Sequence, residues 1–247
     1  MAEITNDEGK SKEEQKMQMI ITAQIAFDAD RCDDMADCMH KATVIAGGHL
    51  SREERDLLSV AFKNATAVRR LSWRVIAASE QGEKDARMKD ASKMYRHQIE
   101  GELLAICQLV VGLLDDYLIP ASNDSNSEVF YYKMKGDYCR YRAELLLGKE
   151  REDAAAESEA AYRKAEDISS ANLSPLHPLR LGLSLNHSVL YYEIFRDSVT
   201  ACSIASKAIT EAEQLEYDST ADDTDDEALS ILKLLKDNFT IWNHDYN

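Results

Sequence analysis

The sequence predicts an all-α protein, and three observations carry that prediction. Glycine and proline are scarce, nine and three in 247 residues, less than half their average combined usage. That argues against a β-sandwich or a loop-rich scaffold. No segment alternates apolar and polar residues with period two for long enough to form a strand. Apolar residues recur instead at helical spacing, in about nine segments separated by capping and turn residues.

The first segment runs from about Glu14 to Asp28, with Met17, Ile20, Ile21 and Ile25 on one side. Residues 1–13 before it read as a loosely ordered extension, and 14–247 as a single helical domain. The second segment spans Cys32 to Ile45 and stops at Gly47-Gly48, a C-terminal signal. The third opens on Ser51-Arg-Glu-Glu54, a capping box, and ends by Gly82. The fourth, Ala86 to Leu118, closes before Pro120. Turn formers follow, and Ser125-Asn-Ser-Glu128 caps a fifth helix that ends near Gly148. The sixth covers Glu150 to Asn172. Pro178 suits the first position of a seventh, to Phe195. The eighth is Ser198 to Leu215. An acidic loop precedes a ninth, capped by Thr224-Asp-Asp-Glu227 and ending near Trp242. Short connections make consecutive helices antiparallel neighbours.

Composition narrows the function. Lys and Arg number 29 against 45 Asp and Glu, a net charge of −16. Such a chain repels phosphate backbones and anionic membranes, so neither nucleic acid nor membrane is an expected partner. The five cysteines form no C-x-x-C pair, and the N-terminus is polar and acidic. The apolar stretch from Leu103 to Leu114 is too short to span a bilayer. The cytoplasm is the expected location, with access to the nucleus left open. G-x-S-x-G, P-loop and H-E-x-x-H patterns are absent from the sequence. The nearest approach to a di-metal motif is Asp37-Cys-Met-His40, which reads as an ordinary turn of helix. No catalysis, metal or cofactor is therefore expected, and His187 reads either as a groove-rim residue beside Asn186 or, in preference, as a plain helix-surface histidine.

Two stretches depart from the acidity. Leu57 to Ser79 contains no Asp or Glu but holds Lys63, Arg69, Arg70 and Arg74. Lys63 and Arg70 are seven residues apart, so they share a helix face about 10.5 Å apart along the axis. VFYYKMKGDYCRYRA, Val129 to Ala143, carries Lys133, Lys135, Arg140 and Arg142 against one acid, Asp137. These cations read either as solvated helix faces or as an anion pocket. Arginine forks, a lysine point charge and a tyrosine hydroxyl suit phosphate. Two later helices place asparagines on apolar stripes: Asn186 beside Leu185 and Val189, with Glu193 two turns on, and Asn238 along a face with Ile231, Leu234 and Trp242. Such amides are either surface residues or clamps for the backbone of an extended peptide.

At these residues the sequence resembles the 14-3-3 family of phosphoserine/phosphothreonine-binding adaptors. The likeness runs from about Glu14 to Trp242 through RDLLSVAFKNA (Arg55–Ala65), RRLSWRV (Arg69–Val75), VFYYKMKGDYCRY (Val129–Tyr141), HPLRLGLSLNHSVLYYEI (His177–Ile194) and DNFTIW (Asp237–Trp242). The resemblance implies nine antiparallel helices per protomer, a concave amphipathic groove and a W-shaped homodimer, with pairing to paralogues also open. It implies phosphate binding by Lys63, Arg70, Arg140 and Tyr141. Asn186 and Asn238 would hold the ligand backbone, with Glu193 and Lys133 as further polar groove residues. Leu185, Val189, Ile231, Leu234 and Trp242 would line the apolar side. Partners would be phosphorylated client proteins.

Some positions depart from the family pattern. Asp56 and Phe62 stand where Asn and Tyr are usual, and Ala65 replaces a β-branched residue. Asp225-Asp226 and Ala228-Leu229-Ser230 alter the last helix, and the sequence stops five residues after Trp242 without a long acidic tail. For the dimer the resemblance implies Ile25, Ala29, Arg31, Asp34, Ser72, Ile76, Tyr95 and Glu102. An Arg31–Glu102 pair between subunits is retained, while Gln98 stands where a lysine usually faces Asp34. The alternative to the adaptor is a phosphate-independent helical scaffold of the tetratricopeptide kind, against which stands the lack of a 34-residue period.

Overall fold

The computed structural model describes residues 11–218 and 226–246. Among these residues there are nine helices and no strand. The expected 1–13 extension falls mostly outside them, as does the acidic loop with the Thr224 cap. Contacts divide the chain into two compact units, 1–121 and 122–247, a finer division than the one domain read from the sequence.

Unit one holds α1 (Lys12–Asp28), α2 (Cys32–Ile45), α3 (Arg52–Gly82) and α4 (Ala86–Ala121). Helix α1 starts before the expected Glu14, because Ser11 and Glu14 form a reciprocal capping box. The Ser51–Glu54 box opens α3 as the sequence indicated. Gly47 and Gly48 end α2 at φ +60° and +85°. A Cβ on Gly48 would stand 2.2 Å from the Tyr117 carbonyl oxygen, so only glycine admits α4 at that distance.

Helix α4 does not stop at Leu118. A π-helical turn, Leu114–Leu118, closes with the Ile119 N–H on the Leu114 carbonyl, and Ile119–Ala121 continue through Pro120. Widening the turn just before the proline lets the helix pass a residue that has no N–H to give. By length and composition α4 is apolar enough to cross a bilayer. It packs on α3 and α2 and sends Ile99, Leu103, Cys107, Val110 and Leu113 into the core. Met35, Met39, Leu58, Phe62, Leu114 and Leu118 complete that core. Burial of each large side chain stabilises the unit by roughly 1.5–3 kcal/mol.

Unit two holds α5 (Ser125–Leu145), α6 (Gly148–Asn172), α7 (Pro178–Val189, continued by a π-helical turn Leu190–Phe195), α8 (Ser198–Asp218) and α9 (Asp226–Tyr246). The cap of α5 is Asp124, not Ser125. Its carboxylate accepts from the Ser127 N–H at 2.9 Å and the Ser127 hydroxyl at 2.6 Å, and Ser125 is already helical. Asp competes well with Ser for this position, and here it satisfies two donors at once. Pro178 opens α7 behind His177, whose Nδ1 accepts from the Leu179 N–H at 3.2 Å.

The α5–α6 contact is close because its facing residues are small. Ala154, Ala155, Ser158, Ala161 and Ala165 line α6. Opposite them Gly136 leaves room for the Tyr162 ring, since a Cβ there would lie 2.5 Å from it. The Ser158 hydroxyl donates to the Gly136 carbonyl at 2.7 Å. Helices α7, α8 and α9 share a second core of Leu181, Ala201, Ala205, Leu232, Leu235 and Trp242.

Candidate functional site

In unit one the uninterrupted α3 carries the acid-free stretch. Its buried side is Leu58, Ala61, Phe62, Ala65 and Thr66. The departures at Phe62 and Ala65 are therefore core residues, while Asp56 is exposed and pairs with Arg55 at 3.4 Å. Lys63 and Arg74 are exposed and Arg70 is half-buried. Arg69 faces elsewhere. It donates to Asp33 through Nη1 at 2.7 Å and Nη2 at 3.0 Å, and to Glu102 through Nε at 2.9 Å. One of the four cations is thus a structural clip from α3 to α2 and α4.

The implied interface residues also lie in unit one. Ile25, Ala29, Arg31, Asp34 and Tyr95 are exposed, and Ser72, Ile76 and Glu102 are half-buried. Beside them Ile21, Leu71, Val75 and Met94 expose apolar surface on α1, α3 and α4. Within the chain Arg31 pairs with Asp34, and Glu102 accepts from Arg69. An intersubunit Arg31–Glu102 pair must therefore compete with two intrachain ones.

In unit two the basic stretch of α5 is built differently. Arg140 is 5% exposed and Asp137 9%. Arg140 Nη1 donates to Glu144 at 3.1 Å, Nη2 lies 3.8 Å from Asp137, and the guanidinium sits 4.8 Å above the Tyr141 ring. Lys133 donates to Asp137 at 3.0 Å, and Arg142 to Glu157 on α6 at 2.8 Å. Asp137 also accepts from the Tyr162 hydroxyl at 2.5 Å and from Asn186 Nδ2 at 2.7 Å.

Burial pushes the Asp137 carboxyl up, but Lys133, Arg140 and the Tyr162 hydroxyl outweigh it and hold it below the ordinary carboxylate range. Burial also opposes the charge of Arg140. Tyr162, Tyr141, Asp137 and Glu144 overcome that opposition and keep the guanidinium charged. The Tyr162 phenol is raised well above its usual value, by burial first and Asp137 second.

Helices α7 and α9 add the apolar side. Trp242 is buried and stacks on Tyr192 at 4.9 Å between ring centroids. Leu185, Val189 and Ile231 pack half-buried against its cluster, and Leu234 is exposed. A methyl on Gly182 would lie 3.6 Å from Lys133 Cε and 3.9 Å from Ile231 Cδ1, so α5, α7 and α9 approach one another there. Asn238 is half-buried and Glu193 exposed.

His187 corrects the sequence reading. It is 3% exposed, not on the surface. Its ring lies between Tyr162 and Tyr191, its Nδ1 bonds Glu166 at 2.8 Å, and its Nε2 is buried with no partner among the described residues. A position next to Asn186 in the sequence did not reveal which way the ring turns.

Residue reasoning missed the organising role of Asp137. A signal existed, since Asp137 stands four after Lys133 and three before Arg140, both pairing distances on a helix. Nothing comparable announced Tyr162, which arrives from another helix.

Comparison with known proteins bears on this arrangement. A model of the family described as "14-3-3 protein" matches residues 22–243. The chain is 45% identical to 14-3-3 protein zeta of Xenopus laevis over 231 residues, 93% of this chain and 94% of that one. It is 46% identical to 14-3-3 protein theta of Homo sapiens, over 94% of each. It is 45% identical to the 14-3-3-like protein GF14 omega of Arabidopsis thaliana, over 92% of this chain and 89% of that one. With an all-helical fold and matches that span nearly its whole length, the chain belongs to the 14-3-3 family, which supports a role as a phosphoprotein-binding adaptor.

Proposed function

We propose that the protein clamps phosphoserine- or phosphothreonine-containing segments of client proteins in a groove that is basic on one side and apolar on the other. Lys63, Arg70, Arg140 and Tyr141 hold the phosphate. Asn186 and Asn238 hold the ligand backbone, each amide offering a donor and an acceptor, with Lys133 and Glu193 beside them. Leu185, Val189, Ile231, Leu234 and Trp242 take the apolar side chains of the ligand. The observation that carries this reading is the family match over 22–243, a span that includes every one of these residues.

Discrimination is electrostatic. A phosphate brings about −1.5 to −2 charges and three strong acceptors at pH 7, and an unmodified hydroxyl brings neither. Arginine binds it bidentately and lysine as a point charge. Arg140 reaches that task already seated on Tyr141 and Glu144, whereas Lys63 is an exposed charge. No bond is made or broken.

The exposed apolar residues of α1, α3 and α4 suit burial in a homodimer. Two linked grooves raise avidity for doubly phosphorylated clients by about 10²–10⁴ when the spacing allows. Such a dimer acts in the cytoplasm by masking, bridging or holding its clients.

Fluorescence polarisation with one peptide in phosphorylated and unphosphorylated forms tests the reading. The expected result is binding of the phosphorylated form only, lost in Lys63→Glu with helix content unchanged. Equal affinity of the wild type for both peptides would reject the phosphate pocket in favour of a phosphate-independent scaffold.

A further inference from the structure

Three of the side chains assigned to the ligand, Lys133, Arg140 and Asn186, share one internal partner. That partner is the Asp137 carboxylate, which itself has no place in the ligand contacts proposed above. Its Oδ1 takes the Tyr162 hydroxyl and Asn186 Nδ2, and its Oδ2 takes Lys133 Nζ. Arg140 closes the cluster, 3.8 Å from Oδ1, with its Nε on the Tyr162 hydroxyl at 3.4 Å. The contributing helices are α5, α6 and α7.

We propose that Asp137, anchored by Tyr162, is a positioning residue: it orders Lys133, Arg140 and Asn186 before any ligand arrives. The inference rests on the phosphopeptide reading above. Lysine and arginine side chains lose much rotamer freedom when they are fixed. Ordering them in the empty protein removes that loss from the binding step. A buried carboxylate does this without leaving the cations unneutralised among apolar neighbours. Asn186 gains as well. With one N–H committed to Asp137, the orientation of its amide is set, leaving its carbonyl and second N–H for the ligand.

A competing effect has the opposite sign. Asp137 is an anion near side chains that receive an anion, so simple repulsion predicts tighter binding once it is neutralised. The direction of change therefore separates the two. In Asp137→Asn the side chain keeps one oxygen for Tyr162 and Asn186, but it no longer attracts Lys133 and Arg140. Tyr162→Phe removes only the anchoring hydroxyl, at constant charge and nearly constant volume.

The test measures dissociation constants of the full chain by fluorescence polarisation for a phosphoserine peptide and its unphosphorylated form. It compares wild type, Asp137→Asn, Tyr162→Phe, Asn186→Ala and the double variant Asp137→Asn/Asn186→Ala. Asp137→Asn is expected to weaken phosphopeptide binding about tenfold and Tyr162→Phe about threefold. The double variant is expected to lose less than the product of its two single losses, because Asp137 acts in part through Asn186. Unchanged or tighter binding by Asp137→Asn overturns the proposal, and so do losses that multiply. If circular dichroism shows Asp137→Asn unfolded, Tyr162→Phe decides alone, and an unchanged constant overturns the proposal. Wild type that ignores phosphorylation refutes the phosphopeptide reading itself. Phosphate-selective wild type with unaffected variants refutes only the positioning role.

Discussion

The basic stretch of α3 and the basic stretch of α5 look alike in sequence, yet the chain builds them in opposite ways. On α3, Lys63 and Arg74 are exposed. Arg69 is tied down, to Asp33 and Glu102. On α5, Lys133, Arg140 and Arg142 each meet an acid of the same unit: Asp137, Glu144 and Glu157. The first stretch offers exposed positive charge at Lys63 and Arg74. The second offers fixed hydrogen-bond donors with their charge already balanced. A count of cations therefore does not measure how attractive a region is to an anion. What matters is whether the acids that answer those cations lie within reach in three dimensions.

The largest expected effect concerns stability. Arg140→Gln removes the arginine paired with half-buried Glu144 and one of the two cations beside buried Asp137, and about 3 kcal/mol of unfolding free energy should be lost. Lys63→Gln, at an exposed site, should stay within about 0.5 kcal/mol of wild type. Urea unfolding of both variants checks this, and losses of similar size would break the contrast between the two stretches.

The second effect is on acid stability. The Asp137 carboxyl is lowered in the folded protein, so it binds its proton less readily there than in the unfolded chain. Its contribution is complete above the ordinary carboxylate range and disappears as pH falls through that range and below. The stability gap between wild type and Asp137→Asn should thus be widest at neutral pH and should narrow under acid. A gap that stays constant down to pH about 3 would mean that the carboxylate charge does not hold the cluster together.

The smallest effect sharpens the picture of unit two, where one buried side-chain nitrogen has no partner among the described residues. His187 Nε2 is buried without a partner among the described residues, while the ring lies tilted between Tyr162 and Tyr191 at centroid distances of 5.4 and 5.3 Å. His187→Phe keeps the ring contacts and removes the orphan nitrogen. It also frees Glu166, which is about one-third exposed and can return to water. The variant is expected to gain up to about 1 kcal/mol in thermal or chemical unfolding. A clear loss would show that the bond to Glu166 outweighs the unpaired nitrogen.

Helix positions were largely legible, because capping and period are local. The Ser51–Glu54 box, the Gly47-Gly48 stop and Pro178 at a helix start appear where the sequence put them. The misjudged ends share a cause. Ser11 and Asp124 were passed over although both are good caps, and Pro120 was read as a stop although a π-helical turn carries α4 past it. At each end several local signals compete, and at Ser11 and Asp124 local hydrogen bonds to Glu14 and Ser127 settle the start. The residue types of the site were legible too, but not which cation is spent on structure: Arg69 and Arg70 are adjacent and indistinguishable by pattern, and only the places of Asp33 and Glu102 single out Arg69.

The sequence by itself determined the helical class, the order of the elements, the acidity and the two places where cations gather, since composition and short-range spacing act within a few turns. Tertiary structure alone decided what those cations do. Gly136 and a run of small residues on α6 let Tyr162 reach Asp137 from 25 positions away, and His187 turned inward rather than out. Packing joins residues that are distant in the chain, and the strength of a charge depends on the neighbours and the water that packing leaves around it.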